Sequence, residues 1–213
     1  MNRGIAFRIS EIYKEEGLGG LCLRALRKAS RLVFDTNSAI WFEKDLSQNL
    51  PEQNITIPLD INLSAPQETI SWIKNQGERW MYNPQEIKIG LQENHYFANA
   101  KYNGNIIGYC RIGIGKAYIA DYKKAITLEP GTAFICDTYV IPEFRSRGIA
   151  TFLKVKLMQE LRRQGFKKIR NHVPAWNISS LKVSEKLGFK KVFYARHIRI
   201  LGFLKFYFRK EYA

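Results

Sequence analysis

The sequence predicts an α/β fold, a mixed sheet with helices, preceded by a helical extension, and three stretches predict it. Ala133 to Ile141 is rich in aromatic and β-branched residues, Pro142 stops it, and Ile149 to Leu161 repeats apolar residues at helical spacing. His95 to Tyr102 and Ile106 to Ile114 flank Asn103-Gly104, a pair that tolerates positive φ and suits a tight hairpin turn. Lys167 to Val173 then forms another strand, and Asn177 stands as N-cap before an apolar-periodic segment, Ile178 to Leu187, with Gly188 as its C-terminal stop.

In chain order, Ile5 to Phe34 alternates apolar and basic residues near the helical period. Leu18, Leu21, Cys22, Ala25, Leu26, Ala29 and Leu32 share one side and Arg24, Arg27, Lys28 and Arg31 the other, with Gly17, Gly19 and Gly20 dividing two helices. Such a segment either docks on its own domain or lies on an anionic membrane surface. Ser38 to Lys44, with Trp41 and Phe42, predicts a short strand, and Leu46 to Asn54 a linker. The expected division is therefore a basic amphipathic extension, 1–50, and a domain, 51–213.

Within the domain, Ile55 to Leu63 predicts a strand that Pro58 confines to an edge or bulge. Pro66 to Gln76 predicts a short helix, with Pro66 in its first turn and Ile70 and Ile73 three residues apart. Gly113 to Lys116 lacks the full spacing of a phosphate loop and predicts a turn. Lys116 to Thr132 is expected to be a long connection facing the acceptor substrate. Lys190 to Ile200 predicts a closing strand, and the tail from Phe203 to Lys210 is aromatic and basic together, which suits an outer strand or an interfacial anchor.

The composition narrows the class. With 213 residues, 46% hydrophobic and 13% aromatic, the chain can bury a substantial core. Cys22, Cys110 and Cys136 are too scattered for a disulfide framework or zinc site, so no metal is expected and a cytoplasmic location fits. No uncharged apolar run approaches the roughly 18 residues of a membrane span, and Arg8, Glu11, Lys14, Glu15 and Glu16 break up any secretory signal. The net charge of +15 is carried wholly by residues 145–213, which hold 18 Lys+Arg against 3 Asp+Glu. That excess suits an anionic ligand and, beyond it, a polyanion such as the inner membrane surface.

The turn Arg145-Ser146-Arg147-Gly148-Ile149-Ala150 places two arginines and a glycine before free helical amides, an arrangement that wants a phosphate. It resembles the Arg/Gln-x-x-Gly-x-Gly/Ala signature of the GNAT superfamily of acyl-CoA-dependent N-acyltransferases. Asn177-Ile178-Ser179-Ser180 and Val183-Ser184-Glu185-Lys186-Leu187-Gly188-Phe189 resemble that family's second motif, about thirty residues on. The resemblance implies a central mixed sheet splayed between its fourth and fifth strands, with helices on both faces and acetyl-CoA or another acyl-CoA in the gap.

It implies that Val140 and Ile141 offer backbone to the pantetheine arm. The amides of Arg147, Gly148, Ile149, Ala150 and Thr151 would hold the pyrophosphate with the help of Arg145, and Asn177 and Ser180 would bind the pantetheine side. An amine would attack the thioester directly, with Asp137 the first candidate base and His172 the second. The family's tyrosine, expected to protonate the leaving thiolate, is replaced by Ser184, so that Ser184, Ser180, another tyrosine such as Tyr139 or Tyr194, or solvent would take the role. The acceptor would be a small-molecule, peptide or glycan-precursor amine, and a homodimer is compatible with the sequence. Two alternatives stand beside this: long-chain acyl transfer at a membrane, and a non-catalytic basic module on RNA or ribosomes. The second lacks any helix-turn-helix, zinc-finger or RNA-binding aromatic motif.

Overall fold

The computed structural model describes residues 34–52, 55, 57–63, 66–75, 83–122, 124–201 and 203–212. The amphipathic segment expected over Ile5 to Phe34 thus lies outside the described residues except for its last position. The strands are β1 (Phe34–Asp45), β2 (Asp60–Asn62), β3 (Tyr96–Tyr102), β4 (Asn105–Gly113), β5 (Lys116–Ile119), β6 (Lys124–Thr127), β7 (Thr132–Val140), β8 (Lys168–Pro174), β9 (Lys190–Ile200) and β10 (Leu204–Glu211). The helices are α1 (Pro66–Asn75), α2 (Pro84–Gln92), α3 (Ile149–Arg163) and α4 (Ile178–Lys186).

Two compact units divide the chain. The larger, 39–194 with 210–213, contains the strand order β1-β8-β7-β4-β3-β2, with β1 from Ala39 onward. Only β7 and β8 pair in parallel among the registers seen here; β1 with β8, β4 with β7, β3 with β4 and β2 with β3 are antiparallel. In the smaller unit, β10 lies beside β9 with all eight of its residues exposed, and Tyr207 stacks on His197 at 4.9 Å.

The alternation of side chains along a strand explains why both faces of the sheet are covered. On β3, Phe97 packs with Ile70 of α1 and Ile87 of α2, while Ala98 and Ala100 turn to the opposite face. There they join Leu153, Leu157, Met158 and Leu161 of α3 together with Ile112, Ile135, Ile169 and Val173. The small alanines let α3 lie close to the sheet.

Local signals account for most boundaries. Asn103 (φ 49) and Gly104 (φ 78) make the β3–β4 turn, as their sequence predicts. β2, shorter than the strand expected over Ile55 to Leu63 and starting beyond Pro58, lies at the sheet edge. Two expectations change. Lys116 to Thr132 is no plain connection: β5 and β6 pair through it, with a 3-10 turn at Ala120–Tyr122. Helix α2 has no counterpart in the sequence reading, although Asn83 caps it and Pro84 opens it. The boundary expected at residue 50 also falls beyond β1, whose Ala39 to Asp45 pairs with β8 inside the sheet.

Candidate functional site

Strand β7 is the axis of the site. Its register with β4 jumps from Arg111↔Asp137 to Ile112↔Ile135, so Cys136 is an extra residue, a β-bulge that bends the strand. Its parallel register with β8 runs from Thr132↔Lys168 to Ile135↔Asn171 and stops there. β7 nevertheless continues to Val140 and β8 to Pro174. The two central strands therefore part at the bulge and leave a gap, the splay that the sequence resemblance implies.

Which backbone groups line that gap follows from one hydrogen bond. Ile141 N–H donates to Ile107 O of the β4 side at 2.9 Å. The peptide is trans, as are all those among the described residues, so the carbonyl of Val140, on the same peptide, points the opposite way, toward the gap. Val140 thus presents its backbone there and the Ile141 N–H does not. In this state Arg145 Nε donates to Val140 O at 3.0 Å, and the Arg145 guanidinium lies 5.5 Å from the Tyr139 ring centre.

Beyond β7, Pro142–Phe144 forms a 3-10 turn and Gly148 (φ 80) is the N-cap of α3 without a side-chain cap. The first intrahelical bond is Phe152 N–H to Gly148 O, 2.9 Å, so the amides of Ile149, Ala150 and Thr151 have no carbonyl within the helix. A Cβ placed on Gly148 would meet no atom within 4 Å, which leaves the amides approachable. Arg145 and Arg147 are exposed beside them, Arg147 lying 5.2 Å over the Phe144 ring. Free amides, open space and two guanidinium groups suit a diphosphate.

The second motif forms the start of α4. Asn177 Oδ1 accepts from Ser180 N–H at 3.1 Å and from the Ser179 hydroxyl at 2.9 Å, so the oxygen is committed to the cap. Ser184 is 1% exposed; it donates to Ser180 O at 3.0 Å and accepts from Asn171 Nδ2 at 2.8 Å. Its only proton is held inside the helix, which leaves none to offer a leaving group.

On the opposite face, Arg111 of β4 is buried and stands across from Asp137. Its Nη2 donates to Glu86 Oε2 at 2.5 Å and Asp137 Oδ2 at 3.2 Å, and its Nη1 to the Glu86 backbone carbonyl at 3.1 Å. The Tyr109 hydroxyl also donates to Asp137 Oδ2, at 3.4 Å. Asp137 Oδ1 is buried with no hydrogen-bond partner among the described residues. Burial pushes the Glu86 carboxyl up to about 7, opposed by the Arg111 charge and assisted by Asp137.

His172 packs between Trp41 (5.3 Å) and Tyr122 (5.1 Å), and its Nε2 lies 3.2 Å from the Tyr122 hydroxyl. Burial lowers it to about 4, so it is neutral and a weak base at pH 7. Arg111, Glu86 and Tyr109 are absent from the sequence reading. A lone arginine in the apolar run Ile106 to Ile114 is the signal that points to the first; Asn83-Pro84 followed by an acid in the first turn points to the second.

Among the described residues there is no His/Cys/Asp/Glu cluster able to hold a metal, and no helix is long and apolar enough to cross a membrane. The model of the acetyltransferase (GNAT) family matches residues 62–189, more than half of the chain. No curated protein matches by sequence. Among solved structures, a GCN5-related N-acetyltransferase from Sphaerobacter thermophilus is similar at TM-score 0.57 and 17% identity, over 83% of this chain and 56% of that one. A Drosophila structural genomics target is similar at TM-score 0.51 and 14% identity, over 86% and 58%. A conserved protein of unknown function from Staphylococcus epidermidis is similar at TM-score 0.52 and 14% identity, over 81% and 65%. This chain thus spans less than two thirds of the length of each of these three, and the likeness is one of fold.

Proposed function

The chain belongs to the acetyltransferase (GNAT) family, and from that membership we propose that it transfers an acetyl or other acyl group from acyl-CoA to a primary amine, both substrates being bound together. The observation that carries this reading is the parting of β7 and β8 at Cys136 beside the uncapped start of α3. Acyl-CoA supplies the acyl group, already activated as a thioester.

The chain's own residues do the rest. The amides of Arg147, Gly148, Ile149, Ala150 and Thr151 would hold the diphosphate, with Arg145 and Arg147 adding charge. Val140 offers its backbone to an extended amide-bearing arm in the gap; Ile141, with its N–H held by Ile107, contributes only by position. Asn177 and Ser180, at the start of α4 just beyond β8, would reach the arm from that side, and their first duty is the helix cap.

Asp137 is assigned as the group that takes the amine's proton, directly or through water. Arg111 and Tyr109 fix its Oδ2, so Oδ1 is the oxygen with a lone pair to spare. A lysine-type amine has a reference pKa of about 10.4, so freeing its lone pair at pH 7 costs roughly 4–5 kcal/mol, against about 1 for an α-amine. A fixed acceptor oxygen matters most for the former.

Calorimetry with acetyl-CoA tests the donor, and a panel of lysine peptides, α-amino peptides, polyamines and amino sugars with free-thiol detection tests the acceptor. Binding that Gly148→Glu abolishes, with thiol release by one amine class, is expected. Absence of binding, or binding that Gly148→Glu leaves unchanged, overturns the reading.

A further inference from the structure

A guanidinium at the centre of a sheet has to be matched by acceptors, since burying an unpaired charge is costly. Arg111 is matched twice, by Asp137 on the neighbouring strand and by Glu86 on α2. One cation between two carboxylates leaves the cluster one negative charge in excess whenever both are ionised.

The chain is shaped to make the second contact. Asn83 accepts from the Gln85 and Glu86 amides and so fixes the first turn of α2. Gly90, one turn after Glu86 on the same helix face, lets α2 approach the sheet. A Cβ there would lie 3.2 Å from His95 Nδ1, 3.4 Å from Phe97 and 3.6 Å from Arg111 Nη1. Nothing in pairing Asp137 alone requires so close an approach.

We propose that Glu86 is a positioning residue for the transfer, which through Arg111 sets how strongly Asp137 draws the proton from the acceptor amine. This rests on the acyltransfer reading given above. With Glu86 ionised, the Arg111 charge is shared between two carboxylates and Asp137 keeps its pull on a proton. With Glu86 protonated, the whole charge bears on Asp137 and the pull weakens. In the transfer itself the ammonium gives one proton to the Asp137 carboxylate, the freed nitrogen forms the N–C bond as the thioester C–S bond breaks, and the electron pair leaves on sulfur, which takes up the nitrogen's second proton.

Burial moves four other groups facing the cluster away from neutral pH. Burial raises the Tyr109 hydroxyl, pushes the thiols of Cys110 and Cys136 up to about 11 and about 12, and lowers His95 to about 4. Asp121, from the 3-10 turn, adds a negative charge that favours the proton on Glu86. Glu86 itself changes state near pH 7.

The test is the pH dependence of kcat/KM for a primary alkylamine with a pKa of about 10, well clear of the range of interest. The wild type is expected to rise through a limb near pH 7. Glu86→Gln, a stand-in for the protonated state, is expected to lose that limb and fall about 10-fold at pH 8, as one neighbouring charge moves a carboxyl's proton affinity by about 1–3 units. Its acetyl-CoA affinity should be unchanged. Glu86→Asp, which keeps the charge, is expected to restore the limb in part. An identical limb in wild type and Glu86→Gln overturns the inference, as do equal losses in both variants that track their thermal stability. A wild type that binds acetyl-CoA but acylates no amine overturns the transfer reading and this inference together.

Discussion

Replacing Ser184 with alanine separates a structural role from a catalytic one. The hydroxyl is 1% exposed and makes two hydrogen bonds, donating to Ser180 O at 3.0 Å and accepting from Asn171 Nδ2 at 2.8 Å. Ser180 O loses little when the hydroxyl goes, because a helix carbonyl keeps its backbone partner. Asn171 loses more, since it is buried at the last paired position between β7 and β8 and its amide is left without that acceptor. An unsatisfied buried donor costs about 1–3 kcal/mol, and in a chain of this size each kcal/mol lowers Tm by about 2–4 °C. Differential scanning calorimetry should therefore show Ser184→Ala melting about 2–12 °C lower, while kcat stays within about 2-fold. A kcat loss of 100-fold at unchanged Tm would refute the reasoning and return Ser184 to the role of proton donor.

Two further perturbations follow from the same geometry. Gly148→Ala places a Cβ in open space at φ 80 and should cost about 1–2 kcal/mol of stability, yet weaken acetyl-CoA binding at least 10-fold by calorimetry; Gly148→Asn, which tolerates that backbone better, should recover stability and not affinity. Burial lowers both His95 and His172 from the ordinary value of 6.5 to about 4, so the folded state resists their protonation. Stability is then full above pH 6.5 and declines as pH falls toward 4, by up to about 3 kcal/mol for each histidine, and His172→Gln should remove part of that decline in urea midpoints taken from pH 7 to 4.

What the sequence discloses here is what short-range chemistry writes. The β3–β4 hairpin is legible because Asn103-Gly104 can adopt positive φ, and α3 because a turn glycine precedes an apolar stripe. The phosphate-type turn is legible because free amides need only a helix start. Helix α2 carries the same kind of signal in Asn83-Pro84, but only Ile87 and Gly90 are buried on it, too weak a stripe to read unaided. Long-range pairings are the illegible part. Nothing near Arg111 in the chain shows that it will meet Glu86, 25 residues away, and Asp137, 26 residues away, because a sheet and a helix bring them together. The bulge at Cys136 is equally hidden, since it exists only in the register of β7 against β4.

The contact between Arg145 and Val140 has a consequence for how the gap fills. The Val140 carbonyl faces the gap and is taken by Arg145 Nε at 3.0 Å, so any arm that pairs with this strand edge has to displace the side chain. Releasing a hydrogen bond to a charged group costs about 1.5–3 kcal/mol. A diphosphate at the α3 amides offers the freed guanidinium a better partner, a two-pronged anion in place of one carbonyl. On the proposed reading Arg145 would couple the two halves of the ligand: the phosphates would draw it away and so open the strand edge. In Arg145→Ala, full acetyl-CoA should bind about 10-fold more weakly and with a shallower dependence on salt. S-acetyl-pantetheine, which has no diphosphate, should bind the same variant at least as tightly as it binds the wild type. A parallel loss for both ligands would mean that Arg145 supports the gap itself, and the displacement would have no part in binding.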